Sequence, residues 1–341
     1  MIKNIIYREA IERAIPKIVI EDGNVLVTGA SGLIGSCLID LLLYSNRKGR
    51  HFNVYAIGRS EEKLNNRFAD HKNLDSLHII EQDIRKPLPN DLMFDYVFHG
   101  ASNADPRSYA LYPAETMLIN IEGGVNVLNY CKDHPTTKAL MMSTFEVYGN
   151  TGKDVYKETD FGVIDLNKIR SCYPESKRNM ELLTRCYVEE YGVKAVIGRL
   201  CSIYGPTMAR DDSKAHAQFI RNGLKGENIV LKSKGEQRRT HCYVLDAVTG
   251  LLFVMGNGEE GETYNISNEK SVASIAEVAQ MVATTVGTKV VFDQPNEIEK
   301  QGFSVPQNCI LDNKKLKSLG WEGDYTLSEG INECIEILGQ L

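Results

Sequence analysis

Short apolar runs alternate with longer amphipathic segments between about residue 24 and residue 200. The runs are rich in β-branched residues, as buried strands are, and the amphipathic segments repeat apolar positions at helical spacing. Strands are predicted at residues 24–28, 53–57, 77–81, 96–99, 139–143 and 194–199. Helices are predicted at residues 33–44, 61–68, 116–131 and 173–191. This order predicts an α/β fold with a doubly wound parallel sheet, because parallel neighbours need right-handed helical crossovers.

The composition is that of a globular protein and argues against several classes of function. Of 341 residues, 43% are apolar and 25% are charged. A net charge of −6 supplies no broad positive surface, so we expect no nucleic-acid partner. No apolar run is long enough to cross a membrane, and the first residues lack the apolar centre of a secretory signal, so we expect a cytoplasmic location. Eight cysteines without a C-x-x-C pair and seven histidines without paired spacing predict no disulfide framework and no metal.

A glycine cluster, TGASGLIG at residues 28–35, separates the first strand from the first long helix. Gly29 permits the tight turn, Gly32 lets the backbone approach a pyrophosphate, and Gly35 lets helix and strand pack closely. A tight turn alone accounts for one glycine but not for three. The cluster therefore predicts a dinucleotide held by Gly29, Ser31, Gly32, Leu33, Ile34 and Gly35.

The second strand ends without the acidic residue that usually binds the ribose of NAD. Arg59 stands there instead, either facing the 2′-phosphate of NADP or lying on the surface. NAD is the expected cofactor, and NADP remains open. Asp83 and Ile84 follow the third strand, where they are expected to meet the adenine, although an ordinary loop also explains Asp83.

Three units follow from this arrangement. An amphipathic helix at residues 5–15 lies in an N-terminal extension, residues 1–20. Residues 21–205, together with about 241–265, are assigned to a Rossmann-like NAD(P)-binding domain. Residues 206–240 and 266–341 are assigned to a smaller α/β lobe that binds the substrate.

A second motif places a phenol beside an ammonium group. Tyr173 and Lys177 lie four residues apart at the start of a predicted helix, so their side chains share one face. A phenol usually titrates near pH 10, and a neighbouring positive charge favours its ionised form. Together with the glycine turn, the pair predicts that Tyr173 acts as a base. The Y-x-x-x-K spacing alone would not support this prediction.

These motifs resemble the extended, nucleotide-sugar-modifying branch of the short-chain dehydrogenase/reductase family. The resemblance covers nearly the whole chain through TGASGLIG, HGAS at 99–102, STFEVYG at 143–149, YPESK at 173–177 and RLCSIYGP at 199–206. It implies a bound nicotinamide cofactor that oxidises a hexose at C4 before a further step on the ketone. It also implies that Tyr173 is the base, that Lys177 binds the nicotinamide ribose, and that Thr144 contacts the same hydroxyl. Further cofactor contacts are expected at Ala101, Ser102, Asn120, Tyr173 and Lys177.

Residues 99–120 resemble the UDP-glucuronate decarboxylase branch in particular. The resemblance implies a fourth catalytic residue, Glu146, in the sugar site. It implies substrate contacts from Tyr109, Ser143, Arg170, Ser202 and Arg239. Ser202 stands where the branch commonly has Asn, and Phe145 stands where it commonly has Ser.

Structural roles are the alternatives for four of these residues. Tyr109 would be a packed ring, and Glu146 a partly exposed carboxylate at a strand end. Arg170 would form an ion pair with Glu175, and Arg239 would belong to a solvated basic surface.

The predicted reaction is decarboxylation of a UDP-uronate. A C4 ketone turns the C6 carboxylate into a β-keto acid, whose decarboxylation needs stabilisation of an enolate more than a dedicated acid. The alternatives are 4-epimerisation, 4,6-dehydration and net reduction of a 4-keto sugar by NADPH. Phe145 argues against dehydration, because a phenyl ring cannot donate a proton.

The expected partners are a nucleotide-sugar substrate and a second copy of the chain. By the same resemblance, helices 116–131 and 173–191 form a homodimer interface, with apolar contact from Leu182, Leu183 and Tyr187.

Overall fold

The computed structural model describes residues 1–302 and 307–341. Its strands are β1 (Asn24–Thr28), β2 (Asn53–Gly58), β3 (Leu77–Glu81), β4 (Tyr96–His99), β5 (Lys138–Thr144), β6 (Val155–Tyr156), β7 (Lys194–Leu200), β8 (Ser202–Tyr204), β9 (Ile229–Leu231), β10 (Arg238–Tyr243), β11 (Thr263–Ile266), β12 (Val272–Ser274), β13 (Val290–Phe292) and β14 (Ile310–Leu311). Its helices are α1 (Ile5–Ala14), α2 (Leu33–Ser45), α3 (Glu61–Arg67), α4 (Pro106–Leu111), α5 (Pro113–Asp133), α6 (Cys172–Tyr191), α7 (Ala215–Leu224), α8 (Val244–Asn257), α9 (Ile275–Val286), α10 (Glu297–Gly302), α11 (Lys314–Ser318) and α12 (Leu327–Gly339).

Seven of these strands form one parallel sheet in the order β11-β7-β5-β4-β1-β2-β3. The chain runs outward from β1 to β3 and returns to β4 on the other side of β1. The strand order therefore reverses between β1 and β4, and open α/β sheets bind ligands at the carboxyl ends of strands at such a point. The predicted α/β fold with a Rossmann-like, doubly wound parallel sheet is confirmed.

The sheet is buried on both faces because apolar side chains point to alternate sides. On β1, Val25 and Val27 join a core with residues of α2 and α8, whereas Leu26 joins the core beneath α5 and α6. All three side chains are buried. Parallel strands covered in this way need near-continuous apolar sequence, which is the pattern that predicted them.

The helix ends differ slightly from the predicted ones. The helix expected at 116–131 begins at Pro113, whose missing N–H and fixed φ suit a first helical position. The N-terminal helix, α1, begins after Asn4, whose side chain accepts the N–H of Tyr7 at 3.1 Å. It packs against α2, α8 and α12.

The strands of a small sheet, β8, β10 and β12, alternate in sequence with the last strands of the large sheet, β7 and β11. β8 starts one residue after β7 ends, so Ser202 follows directly on the carboxyl end of a central strand. β10 runs parallel to β8 and antiparallel to β12, where Arg239 lies opposite Ala273. This small sheet brings Ser202 and Arg239 to one side of the molecule. No helix of the described chain is long and apolar enough to span a bilayer.

A buried polar cluster joins α1, α2 and the segment after α3. The carboxylate of Asp40 accepts hydrogen bonds from Tyr7 at 2.9 Å and Arg67 at 2.5 Å, and lies 3.0 Å from His71 Nε2. Burial opposes the ionisation of Asp40, but Arg67 and His71 more than offset it and lower the pKa to about 2. Asp40 therefore holds a buried positive charge in place.

Replacing Asp40 with Ala is expected to lower the free energy of unfolding by about 3–5 kcal/mol, because Arg67 loses its buried partner. The pKa of Asp40 is about 2 when folded and about 3.9 when unfolded. The carboxylate thus stabilises the fold above about pH 4, and its contribution is lost as the pH falls through 2. Urea unfolding between pH 7 and pH 2 measures this. Lys3→Ala is the control, because Lys3 is an 83% exposed partner of Asp70, and it should change the free energy of unfolding by less than about 0.5 kcal/mol. Equal losses of stability in both variants would contradict the role of Asp40 as the buried partner of Arg67.

Candidate active site

The glycine turn after β1 has the geometry of a phosphate cradle. Gly29 has a φ of +68°, and a Cβ there would lie 2.7 Å from the carbonyl oxygen of Gly100. A Cβ on Gly35 would lie 2.6 Å from the carbonyl oxygen of Gly29. Gly32 precedes α2 without a side-chain cap, so the first N–H groups of α2 remain for an anion.

Thr28 ties this turn to the loop after β4. Its buried hydroxyl oxygen accepts the N–H groups of Gly100 and Ala101, both at 3.1 Å, and lies 2.9 Å from His99 Nδ1. The Thr28 side chain therefore connects the loops after β1 and β4, which form the two sides of the crevice where the strand order reverses. No role for Thr28 follows from the sequence pattern, although it is the first residue of the glycine cluster.

The remaining predicted cofactor residues lie around the same crevice. Ser31 is exposed beside the turn, and Leu33 and Ile34 form the partly buried start of α2. Within the described chain, Ser102 Oγ and Asn120 Oδ1 are buried without a hydrogen-bond partner. Such atoms are expected to meet a ligand or water. The open helix terminus and these two oxygens fit a dinucleotide.

Charged groups pair with one another at the far end of the crevice. Arg59 Nη1 lies 2.8 Å from Glu115 Oε1 on the first turn of α5. Arg85 hydrogen-bonds Asp83 and lowers the pKa of that carboxyl to about 2. Ile84 is buried against α5. Arg59 therefore has a carboxylate partner in the protein itself.

The catalytic pair predicted on α6 is buried. Lys177 donates from Nζ to the carbonyl oxygen of Met142 at 2.8 Å. Burial raises the pKa of Tyr173 to about 12, and the charge of Glu146 adds to this; a hydrogen bond with Thr144 lowers the pKa but does not reverse the shift. Desolvation thus outweighs the positive charge near the phenol, and the role of Tyr173 as the base stays a prediction.

A stack of side chains covers the phenol. The ring of Tyr109 lies parallel to that of Tyr173, with centroids 4.5 Å apart, and the guanidinium of Arg170 lies 4.6 Å from the Tyr109 centroid. Arg170 also pairs with Glu146 at 2.6 Å. Its ion pair is therefore with Glu146 and not with Glu175, which pairs with Arg178 in the described structure.

The other predicted substrate residues lie on two sides of this cluster. The guanidinium of Arg239 lies 5.6 Å from the ring centroid of Phe145, the residue before Glu146. Ser202, on β8, lies opposite His241 of β10. Ser143 points elsewhere: it is 2% exposed, and its hydroxyl donates to Glu181 at 2.5 Å.

Glu181 is a buried residue that the sequence analysis missed. Arg199 donates to both of its carboxylate oxygens, from Nε at 3.0 Å and from Nη2 at 2.7 Å. Its position four residues after Lys177 was a signal, since it places both side chains on one face of α6. Its partners Ser143 on β5 and Arg199 on β7 are distant in sequence, so no local pattern indicated these contacts. Nowhere in the described residues do three or more His, Cys, Asp or Glu side chains gather as metal ligands would.

Known proteins share this sequence pattern and fold. Residues 25–267 match the family described as NAD dependent epimerase/dehydratase. UDP-glucuronic acid decarboxylase 6 from Arabidopsis thaliana is 32% identical over 311 residues, which cover 90% of this chain and 86% of that protein.

Two solved structures illustrate the likeness in three dimensions. UDP-glucuronic acid 4-epimerase from Bacillus cereus, in complex with UDP-glucuronic acid and NAD, is 25% identical with a TM-score of 0.77. The match covers 93% of this chain and 99% of that one. A dTDP-glucose 4,6-dehydratase from Streptomyces venezuelae, with NAD bound, has a TM-score of 0.78 at 22% identity, and the match covers 93% of this chain and 97% of that one.

Proposed function

We propose that this chain, which belongs to the NAD dependent epimerase/dehydratase family, decarboxylates UDP-glucuronate or a closely related UDP-hexuronate. The observation that carries the proposal is one cluster at the carboxyl end of β5. There the Tyr173 phenol lies with Thr144, Glu146 and Arg170. A UDP-glucuronic acid decarboxylase that is 32% identical over 90% of the chain supports the same reaction.

The first step removes a proton and a hydride from the C4 alcohol of the hexose. NAD, when bound, takes the hydride and can return it later. Tyr173 receives the hydroxyl proton while Thr144 holds the same oxygen. Because burial keeps Tyr173 protonated in the cofactor-free protein, proton transfer requires added positive charge near its oxygen. Lys177, one turn later on the same helix, is the residue of this chain that would supply it.

The second step breaks the bond between C5 and C6. With a ketone at C4, the C6 carboxylate leaves as CO₂, and its bonding electrons pass to C5 and the C4 oxygen as an enolate. C5 then takes up a proton from water, and Tyr173 gives back the proton that it received when the ketone at C4 is reduced again to the alcohol. Arg170 and Arg239 bring positive charge to the side of the site where this negative charge develops. Phe145 supplies no proton, which disfavours loss of a C6 hydroxyl.

A second candidate is 4-epimerisation of the same substrate. The Bacillus cereus 4-epimerase, at 25% identity, shares the fold over 93% of this chain and binds UDP-glucuronic acid with NAD. The two reactions share the C4 oxidation and differ only in the fate of the ketone.

Incubating the purified protein with NAD and UDP-glucuronate is expected to give a UDP-sugar lighter by the mass of CO₂, measured by mass spectrometry. Tyr173→Phe should lower turnover about 10²- to 10⁴-fold, because the C4 proton has no acceptor, while UDP-glucuronate binding changes little. Tyr55→Phe is the matched control, since the Tyr55 ring packs on His78 of β3 and on Phe94, which precedes β4. It should keep wild-type turnover.

Three outcomes would contradict decarboxylation in different ways. A product of unchanged mass but altered retention would support the 4-epimerase. Steady consumption of NADPH would support net reduction. Full turnover by Tyr173→Phe would remove that phenol from the reaction.

We also propose that the cofactor is NAD and not NADP. Arg59 is the only sequence feature that pointed to a 2′-phosphate, and Glu115 already offsets its charge at 2.8 Å. Asp83 is a second carboxylate at this end, whose pKa is lowered mainly by Arg85 and to a smaller extent by the charge of Arg59. A phosphate at this end of the crevice would therefore meet two guanidinium groups that are each already paired with a carboxylate, Arg59 with Glu115 and Arg85 with Asp83.

Glu115→Gln is expected to shift the ratio of NADP to NAD affinity about two- to fivefold toward NADP, the size of an exposed ion pair. Isothermal titration with each dinucleotide measures the ratio. Glu122→Gln removes an exposed carboxylate from the same helix two turns later and should leave the ratio unchanged. An unchanged ratio in Glu115→Gln would reject the role of Glu115.

A homodimer is proposed through α5 and α6. These helices pack on each other and expose Leu118 at 44% and Leu182 at 63%. A second copy would cover these apolar side chains. Sedimentation equilibrium at micromolar concentration should give twice the chain mass, and a monomer throughout would contradict the interface.

A further inference from the structure

Two successive turns of α6 attach to two successive residues of β5. Lys177 donates to the carbonyl oxygen of Met142 at 2.8 Å, and Glu181, one turn later, accepts the hydroxyl of Ser143 at 2.5 Å. The next residue of β5 is Thr144. These two contacts therefore set the register between the helix that carries Tyr173 and the strand end that carries its hydroxyl partner.

Glu181 is also the charge partner of a buried cation on β7. Arg199 forms a two-pronged pair with its carboxylate, donates to the carbonyl oxygen of Glu158 at 3.0 Å, and lies 4.6 Å from the ring centroid of Tyr148. The Arg199 and Glu181 side chains are only 10% and 7% exposed. Such a pair keeps one fixed geometry, because a planar guanidinium matches a carboxylate at two points.

The charge of Glu181 acts on Lys177 as well. Burial lowers the pKa of Lys177 to about 8, and the negative charge of Glu181 opposes this shift. Another titratable group near Lys177 is His99 on β4, and Tyr173 lies four residues earlier on the same helix. Burial and the charge of Lys177 lower the pKa of His99 to about 3, so this ring is neutral at working pH.

We propose that Glu181 is a positioning residue that keeps Lys177 charged and fixes Ser143, and so Thr144, opposite Tyr173. The proposal rests on the proposed function for its kinetic consequence, but not for its effect on Lys177. It assigns Ser143 to this support and not to the sugar. Glu181 acts through other residues and touches neither cofactor nor substrate.

Three variants distinguish the effect of the Glu181 charge from the effects of its side-chain length and of its hydrogen bond with Ser143. Glu181→Gln removes the charge at constant size, Glu181→Asp keeps the charge but shortens the side chain, and Ser143→Ala removes only the hydroxyl. Glu189→Gln, an exposed carboxylate later on α6, is the matched control. NMR of the protein labelled with ¹³C at lysine Cε measures the protonation of Lys177 as a function of pH without any substrate. The Lys177 signal is assigned by its loss in Lys177→Met.

The Lys177 midpoint is expected to fall by about one pH unit or more in Glu181→Gln and to stay near wild type in Glu181→Asp and Glu189→Gln. With UDP-glucuronate, Glu181→Gln should lose about twofold in kcat at pH 7 if the midpoint falls to about 7 and about tenfold if it falls to about 6, and the alkaline limb of its profile should move to lower pH. Ser143→Ala should lower kcat with KM within about threefold, whereas a sugar contact would raise KM.

If the titration midpoint of Lys177 is unchanged in Glu181→Gln, the proposal that Glu181 keeps Lys177 charged is wrong. If Ser143→Ala keeps the wild-type kcat, the proposal that Glu181 positions Thr144 through Ser143 is wrong. Ser143→Ala retains the ion pair of Glu181 with Arg199, so it still tests this proposal if Glu181→Gln does not fold. A shifted midpoint in a protein that leaves UDP-glucuronate untouched would support the role of Glu181 while rejecting the proposed reaction.

Discussion

The proposed chemistry depends on the contact between the carboxyl end of β5 and the first turns of α6. This contact brings a phenol, an ammonium and a hydroxyl together where water is largely excluded, and each ionisable group there must find a partner. Lys177 uses a backbone carbonyl, and Arg170 pairs with Glu146. For Tyr173, the opposing charge of Arg170 does not offset burial, which raises its pKa to about 12. In the proposed mechanism, this phenol becomes a base only when further positive charge is brought near its oxygen.

The same principle explains the crevice where the dinucleotide is expected. The sheet reverses its strand order between β1 and β4, and Thr28 joins the two loops that follow them. Gly29 and Gly35 have no room for side chains, because the backbone atoms of these loops lie too close. Unpartnered polar atoms then remain at Ser102 and Asn120. A rigid frame with unsatisfied polar groups is the arrangement that a polar ligand completes.

Much of the sheet could be predicted from sequence, because its signals are local. Apolar runs, the three glycines and the spacing of Tyr173 and Lys177 each lie within a few residues. The pairing of Arg170 with Glu146, the stack of Tyr109 on Tyr173, and the contact of Ser143 with Glu181 depend on residues that are distant in sequence. The raised pKa of Tyr173 also escaped prediction, since burial is a property of the folded chain.

The stack of Tyr109 on Tyr173 bears directly on the central claim, because a sugar that reacts at the phenol must lie beside it. A crystal structure of the protein with NAD and UDP-glucuronate, in the unreactive Tyr173→Phe variant, tests this arrangement. We expect the C4 oxygen of the hexuronate within hydrogen-bond distance of Thr144, with its carboxylate toward Arg170 or Arg239. A sugar bound away from Thr144, with the Tyr109 ring still stacked on residue 173, would contradict the account.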